Sequence, residues 1–237
     1  MSLNDPEHVE REYATENGLL GRRAAYEWAT GPDALELVFQ AVADGRPRRV
    51  LEVGCGPGEL AERIQRELGA SIVAIDISPR MVDLARERGV DARLGDAQSL
   101  PFADDAFDCV VAAWMLYHVP KVPSALAEFA RVLRAGGRLV AVTNYLDHLQ
   151  ELRALADDST GFESAFSGDN GAALLAKDFV RVDERETGGT IEFPSREAVI
   201  AYLRASISLK GAEAMLPQFD PPFVVRRHPT IFVAEKA

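Results

Sequence analysis

The chain has 237 residues, 47% of them hydrophobic, and a formal net charge of −11 from 37 acidic and 26 basic side chains. That length and apolar content suffice for one well-buried core, while the acidic balance argues against nucleic acid or anionic membrane as a partner, since both need basic surface. No apolar run reaches the roughly eighteen residues that span a bilayer, MSLNDPEHVERE has no signal-peptide pattern, and Cys55 and Cys109 are too few for a disulfide framework, so a reducing cytoplasmic setting is expected.

In chain order, residues 1–46 read as helical. EHVEREYATENG and RRAAYEWAT are short helical stretches, and PDALELVFQAVADG sets Leu35, Val38, Phe39 and Val42 on one face, with Pro32 in the first turn and Gly45 as the stop. Tyr13, Tyr26 and Trp28 in these stretches either close over a ligand or pack on the sheet. Strands are predicted at 48–54, 71–76, 91–97, 107–113 and 137–143. The helices between them include one capped by Ser78 and Pro79 and one over about 123–135, ending at Gly136-Gly137. Short β-branched runs between helices predict an α/β fold, a mainly parallel sheet with helices on both faces.

Beyond residue 143 the pattern predicts a helix over 145–158, a polar loop over 158–171 and a strand over 179–193 interrupted at Gly188-Gly189. A helix from Ser195 then buries Val199, Leu203 and Ile207, and two short strands follow about a turn near His228-Pro229. Arg226 and Arg227, like Arg46, Arg48 and Arg49, read as solvated flanks. The histidines His8, His118, His148 and His228 show no metal-ligand spacing, so no metal is expected.

The chemistry concentrates in VLEVGCGPG, residues 50–58. Three glycines at a strand end let backbone come close to a ligand, and Asp76, eighteen residues past the last glycine, sits where a ribose presents its hydroxyls. The spacing G-x-G-x-G differs from the pyrophosphate-binding G-x-G-x-x-G. Glu52 would repel a pyrophosphate and suits an ammonium or sulfonium instead.

VLEVGCGPG, VAIDISPRMVDLARERG, GDAQSLPFADDAFDCVVAAWMLYHV and LAEFARVLRAGGRLVAVTN, together covering about residues 48–143, resemble the class I S-adenosylmethionine-dependent methyltransferases, in particular the ubiquinone/menaquinone-biosynthesis group. The resemblance implies a three-layer Rossmann-like sheet of seven strands with an antiparallel last strand, and S-adenosylmethionine as cofactor. It places Gly54, Cys55 and Gly56 against the methionine part and ribose, Glu52 toward the ammonium and Asp76 on the ribose. Ile77 and Met81 would sandwich the adenine, with Asp96, Ala97 and Gln98 at its edge and Ala113 at the close approach. Tyr117 and His118 match a position where the family often carries Leu-His-His. His118 is a candidate general base or a loop residue bonded to backbone.

One domain is expected, with a helical cap over 1–46, a cofactor-binding core over 47–143 and an acceptor-side part over 144–237. Tyr13, Tyr26, Tyr117, His118, Asn144, Asp147 and His148 are the candidates beside a small-molecule acceptor. A nicotinamide-dependent oxidoreductase and a cofactor-binding protein without turnover remain the alternatives.

Overall fold

A strand buried on both faces needs apolar residues at successive positions, and β1 (Arg49–Val53), β2 (Ser71–Asp76), β3 (Asp91–Leu94), β4 (Phe107–Ala113) and β5 (Leu133–Asn144) form the parallel part of the sheet. The computed structural model describes residues 3–156, 164–206, 208–209 and 211–237. The sheet is completed by β6 (Arg181–Glu186) and β9 (Pro229–Glu235), in the order β3-β2-β1-β4-β5-β9-β6. β9 lies between β5 and β6 and runs antiparallel to both. The expected mainly parallel seven-stranded sheet with an antiparallel last strand is the one observed.

Side chains alternate cleanly between its faces. Val50, Ile72, Cys109 and Val140 meet Val38 and Phe39 of α3 (Ala34–Asp44), Leu60 and Ile64 of α4 (Glu59–Leu68) and Val82 of α5 (Pro79–Glu87). Leu51, Ile75, Val110 and Leu139 meet Leu126 and Phe129 of α6 (Val122–Val132) on the other face. A third apolar cluster lies off the sheet. It joins Ala25, Leu152, Ile191, Phe193, Val199, Leu203 and Val225 from the turn after α2 (Asn17–Ala24), from α7 (Gln150–Arg153), from the two-stranded sheet of β7 (Gly189–Phe193) and β8 (Phe223–Arg227), and from α9 (Arg196–Ala205). Among the described residues the remaining α-helices are α1 (Pro6–Glu12) and α8 (Gly171–Leu175).

Three sequence expectations are corrected. The helix expected over 123–135 ends at Val132, and Gly136-Gly137 do not cap it: Phe107 pairs with Leu133 and Cys109 with Arg138, so residues 134–137 bulge from the ladder. The strand expected over 179–193 is two strands in different sheets, because the chain leaves the main sheet at Gly188-Gly189, where a Cβ on Gly189 would collide with the Thr30 carbonyl. The two short strands expected about a turn near His228-Pro229 are β8 and β9, which lie in different sheets. The helix expected from 145 begins only at Gln150: Tyr145 N–H donates to His228 O (2.9 Å) and Leu149, at φ 54°, donates to Arg226 O (2.8 Å), which keeps the turn out of helical register. Ile207 and residues 157–163 of the expected helix and loop lie outside the described residues.

Asp108 holds the start of β1. Its Oδ2 accepts the N–H groups of Arg48 and Arg49 at 2.8 Å each, and its Oδ1 accepts from Arg134 Nε at 2.6 Å. Asp108→Ala leaves two N–H groups and a guanidinium without this partner and should cost about 1–3 kcal/mol in urea melts, with affinity for S-adenosylhomocysteine unchanged. An altered affinity at unchanged stability would contradict the purely structural role.

Candidate functional site

The carboxyl ends of β1, β2 and β4 open into a cavity of ≈ 1220 Å³, above the ~300–1,000 Å³ of a site for one small ligand. At the end of β1, Gly54 and Cys55 donate N–H bonds to Ile75 O (2.8 and 3.1 Å), which pins the turn to β2. Gly54, Gly56 and Gly58 all have positive φ. A Cβ on Gly54 would press on Met115, and one on Gly58 would press on Ala85, whereas Gly56 faces open space in the cavity. The turn is therefore packed on protein at both ends and open to a ligand at its middle.

Two carboxylates sit at these strand tips. Asp76, 8% exposed, accepts Gly56 N–H at 2.9 Å through Oδ2 and Ser78 N–H at 2.9 Å through Oδ1, which leaves lone-pair capacity on each oxygen. Glu52 is 2% exposed, and its buried Oε2 has no hydrogen-bond partner. Burial, with the neighbouring Asp76 charge, pushes the Glu52 carboxyl up to about 8 against a backbone bond from Ala61. Burial likewise raises Asp76, against the bonds from Ser78, Gly56 and Ile77. An unpartnered buried carboxylate oxygen beside a turn open to ligand fits a cationic group.

The rest of this half is built by the loops after β2 and β3. Ile77 lies 58% exposed on the cavity wall, an apolar surface available to a planar ring. Asp96 is exposed and accepts from Gln98 N–H (2.9 Å) and Gln98 Nε2 (3.1 Å), while Gln98 Oε1 accepts Lys121 N–H at 3.1 Å. Gln98 thus braces Asp96, and Ala97 and Ala113 line the cavity beside them. Cys55 is buried, and its thiol is pushed far up by burial and by Glu52 and Asp76.

The opposite half is covered from the N-terminus. Ser78 Oγ donates to Tyr13 O (2.7 Å), and Arg80 pairs with Glu16 through two bonds of 2.8 and 2.9 Å. His118 Nδ1 stands 2.8 Å from Leu3 O and Nε2 stands 2.9 Å from Tyr13 Oη. A carbonyl only accepts, so Nδ1 carries the proton and Nε2 accepts from the tyrosine. Burial holds His118 down to about 4 and pushes Tyr13 up to about 12. Tyr26, Tyr117 and Tyr202 line the same half with Arg22, Arg153 and Arg227. His148 accepts His228 N–H on Nδ1 (2.9 Å), and burial, then Arg153 and Arg227, push it down to about 3.

A family profile described as a methyltransferase domain matches residues 51–141. A demethylmenaquinone methyltransferase of Renibacterium salmoninarum is 33% identical over 172 residues, 67% of this chain and 70% of its own. The chain belongs to the class I S-adenosylmethionine-dependent methyltransferases. A trans-aconitate 2-methyltransferase of Mycolicibacterium gilvum is 47% identical over 91 residues, 38% of this chain and 35% of its own. The chain spans 35–42% of the length of the first curated relatives it matches. A solved S-adenosylmethionine-dependent methyltransferase of Thermotoga maritima, 20% identical with a TM-score of 0.63, covers 96% of this chain and 99% of its own, a likeness in fold.

In this methyltransferase chain the cavity gathers the sequence-predicted Glu52, Gly54, Cys55, Gly56, Asp76, Ile77, Asp96, Ala97, Gln98 and Ala113. On the other half it gathers Tyr13, Tyr26, Tyr117, His118, Asn144 and His148. Met81 is not among the lining residues. It is 1% exposed on α5, with its N–H bonded to Ser78 Oγ (3.3 Å), and it packs beneath the wall. Asn144 Oδ1 accepts from Trp114 Nε1 at 3.3 Å. Asp147 pairs with His228 at 2.5 Å. Trp28 packs on Phe193 at 6.0 Å, away from the lining set.

Sequence reading missed Arg227 by treating it as a solvated flank; it is 4% exposed. The signal was the period of β8, which puts Arg227 on the inward face with Val225, itself fully buried.

Glu52 carries a pH signature. Its native carboxyl, near 8 against an ordinary 4.5, binds a proton that the unfolded chain has released between those values. The stability from this group is complete below about 4.5 and falls as pH rises to about 8, by up to about 1.4 kcal/mol per pH unit. Urea melts over that range should show Glu52→Gln lacking one proton's worth of slope; a slope equal to wild type would contradict the assignment.

Proposed function

We propose that this protein transfers a methyl group from S-adenosylmethionine to a small-molecule acceptor by in-line displacement, in the cytoplasm. The observation that carries the reading is the buried Glu52 oxygen without a partner, beside Asp76 and the open middle of the glycine turn, in a chain of this family. Glu52 would receive the amino-acid ammonium, and the free lone pairs of Asp76 the ribose hydroxyls. The exposed face of Ile77 would carry the adenine, with Asp96, held by Gln98, accepting from its amino group. Residues 47–143 hold the cofactor, and the N-terminal helices with the parts of 144–227 that form the third apolar cluster cover the acceptor.

When bound, S-adenosylmethionine supplies a methyl group already activated on a sulfonium. The chain's own work is alignment and the exclusion of water. Leu3, Tyr13 and Glu16 serve that end through their bonds to His118, Ser78 and Arg80 across the cavity. His118 Nε2 can hold a proton taken through Tyr13 Oη, but a group held down to about 4 is a weak base at neutral pH. Positioning therefore carries more of the rate than deprotonation.

Asp76→Asn removes the charge and keeps one of the two oxygens that accept backbone N–H. It should raise the Kd for S-adenosylhomocysteine about 10- to 100-fold, the scale of a charge-assisted hydrogen bond, by calorimetry. Incubation of wild type with S-adenosylmethionine and a panel of carboxylates, phenols and amines should yield S-adenosylhomocysteine by mass spectrometry. Unchanged affinity in Asp76→Asn would contradict the ribose assignment, and binding without product across the panel would favour a cofactor-binding protein without turnover.

A further inference from the structure

Charged residues of both signs line the cavity: Glu52, Asp76 and Asp96 stand at the strand tips, and Arg22, Arg153 and Arg227 reach it from the segments that cover it, with Glu10, Asp33 and Arg80 also in the lining. Arg22 has a carboxylate partner in Glu12 and also donates to Ala205 O at 2.9 Å. Arg227 is in a different position. Its Nη2 donates to two neutral acceptors, Thr30 O at 2.6 Å and Pro32 O at 3.1 Å, and its buried Nε has no partner. No ion pair joins it to a carboxylate among the described residues. Asp33, next to Pro32 in sequence, is exposed and accepts Leu35 N–H at 2.9 Å.

A guanidinium that is 4% exposed with a donor unsatisfied is costly to fold around. The Tyr26 ring, 5.6 Å from its central carbon, offsets that only in part. Around it stand Tyr26, which is 40% exposed and carries a hydroxyl donor, and His148, held neutral by burial and by the charges of Arg153 and Arg227, and Tyr202 lines the same cavity. The wall thus offers hydrogen-bond donors and positive charge, inside a protein whose net charge is −11.

We propose that Arg227, with Tyr26 beside it, forms a subsite for an anionic oxygen group, a carboxylate or a phosphate, carried by the acceptor. The subsite completes the hydrogen bonding of Arg227 Nε and supplies the counter-ion that the fold leaves out. It also sets the acceptor's orientation, with the anion at β8 and the opposite end toward the glycine turn. The word acceptor rests on the methyl-transfer reading above; the affinity for an oxyanion does not.

The test uses protein saturated with S-adenosylhomocysteine, titrated by calorimetry with benzoate, phenyl phosphate and the neutral isostere benzamide. At least one anion should bind about 10- to 100-fold more tightly than benzamide, the fold-change of one charge-assisted hydrogen bond, and the tighter anion identifies the group. Arg227→Gln should abolish the preference and Arg227→Lys retain part of it, both with unchanged affinity for S-adenosylhomocysteine. Should Arg227→Gln fail to fold, the comparison in wild type still decides. Equal binding of anions and benzamide, no binding of either anion, or a preference that survives in Arg227→Gln would overturn the subsite. Failure of wild type to bind S-adenosylhomocysteine would instead overturn the methyl-transfer reading.

Discussion

Two carboxylates buried at the tips of adjacent parallel strands repel each other and lack the water that would screen them. The fold resolves this conflict unequally. Asp76 is held by backbone N–H groups from Gly56 and Ser78, so its negative charge is built into the turn itself. Glu52 has a backbone bond from Ala61 and an oxygen with no partner, and burial raises its carboxyl toward protonation. A cation arriving at Glu52 relieves both the burial cost and the repulsion from Asp76. The glycines, the strand register and the cap over the cavity all serve to keep this pair dry and in place.

Much of this was legible in the sequence because the relevant physics is local. β2 and β4 fall on the residues predicted, since continuous β-branched runs have few other ways to be buried. The caps Ser78 and Ser195 were legible from one side chain and a following helical pattern. Asp76 was legible because it ends an apolar strand, where a lone acid needs a reason, and Glu52 because it stands two residues before the first glycine of the turn. The errors arose where tertiary contacts decide. Gly136-Gly137 carry a helix-stop signal that serves equally well for a bulge, and only the pairing of Phe107 and Cys109 with β5 distinguishes the two. Arg227 was misread for a related reason, because a charge run does not reveal which of its members points inward.

The cap follows a different logic from the sheet. Its apolar cluster takes residues from near both ends of the sequence, from Ala25 to Val225, so no single window contains its periodicity. Polar tethers then fix it to the core: Glu16 on Arg80, Tyr13 on Ser78 and His118. These tethers join the covering segment to the loop and helix that follow β2 and to the turn that follows β4. The cavity wall consequently joins carboxylates from the strand tips to arginines and tyrosines from the cap.

The most direct measurement is the proton count on cofactor binding, from calorimetry of S-adenosylhomocysteine at pH 7 in two buffers of different ionisation enthalpy. A Glu52 carboxyl near 8 must lose its proton to pair with an ammonium, so wild type should release close to one proton per ligand bound and Glu52→Gln none. Tight binding by wild type with no proton released would contradict the account of the paired carboxylates.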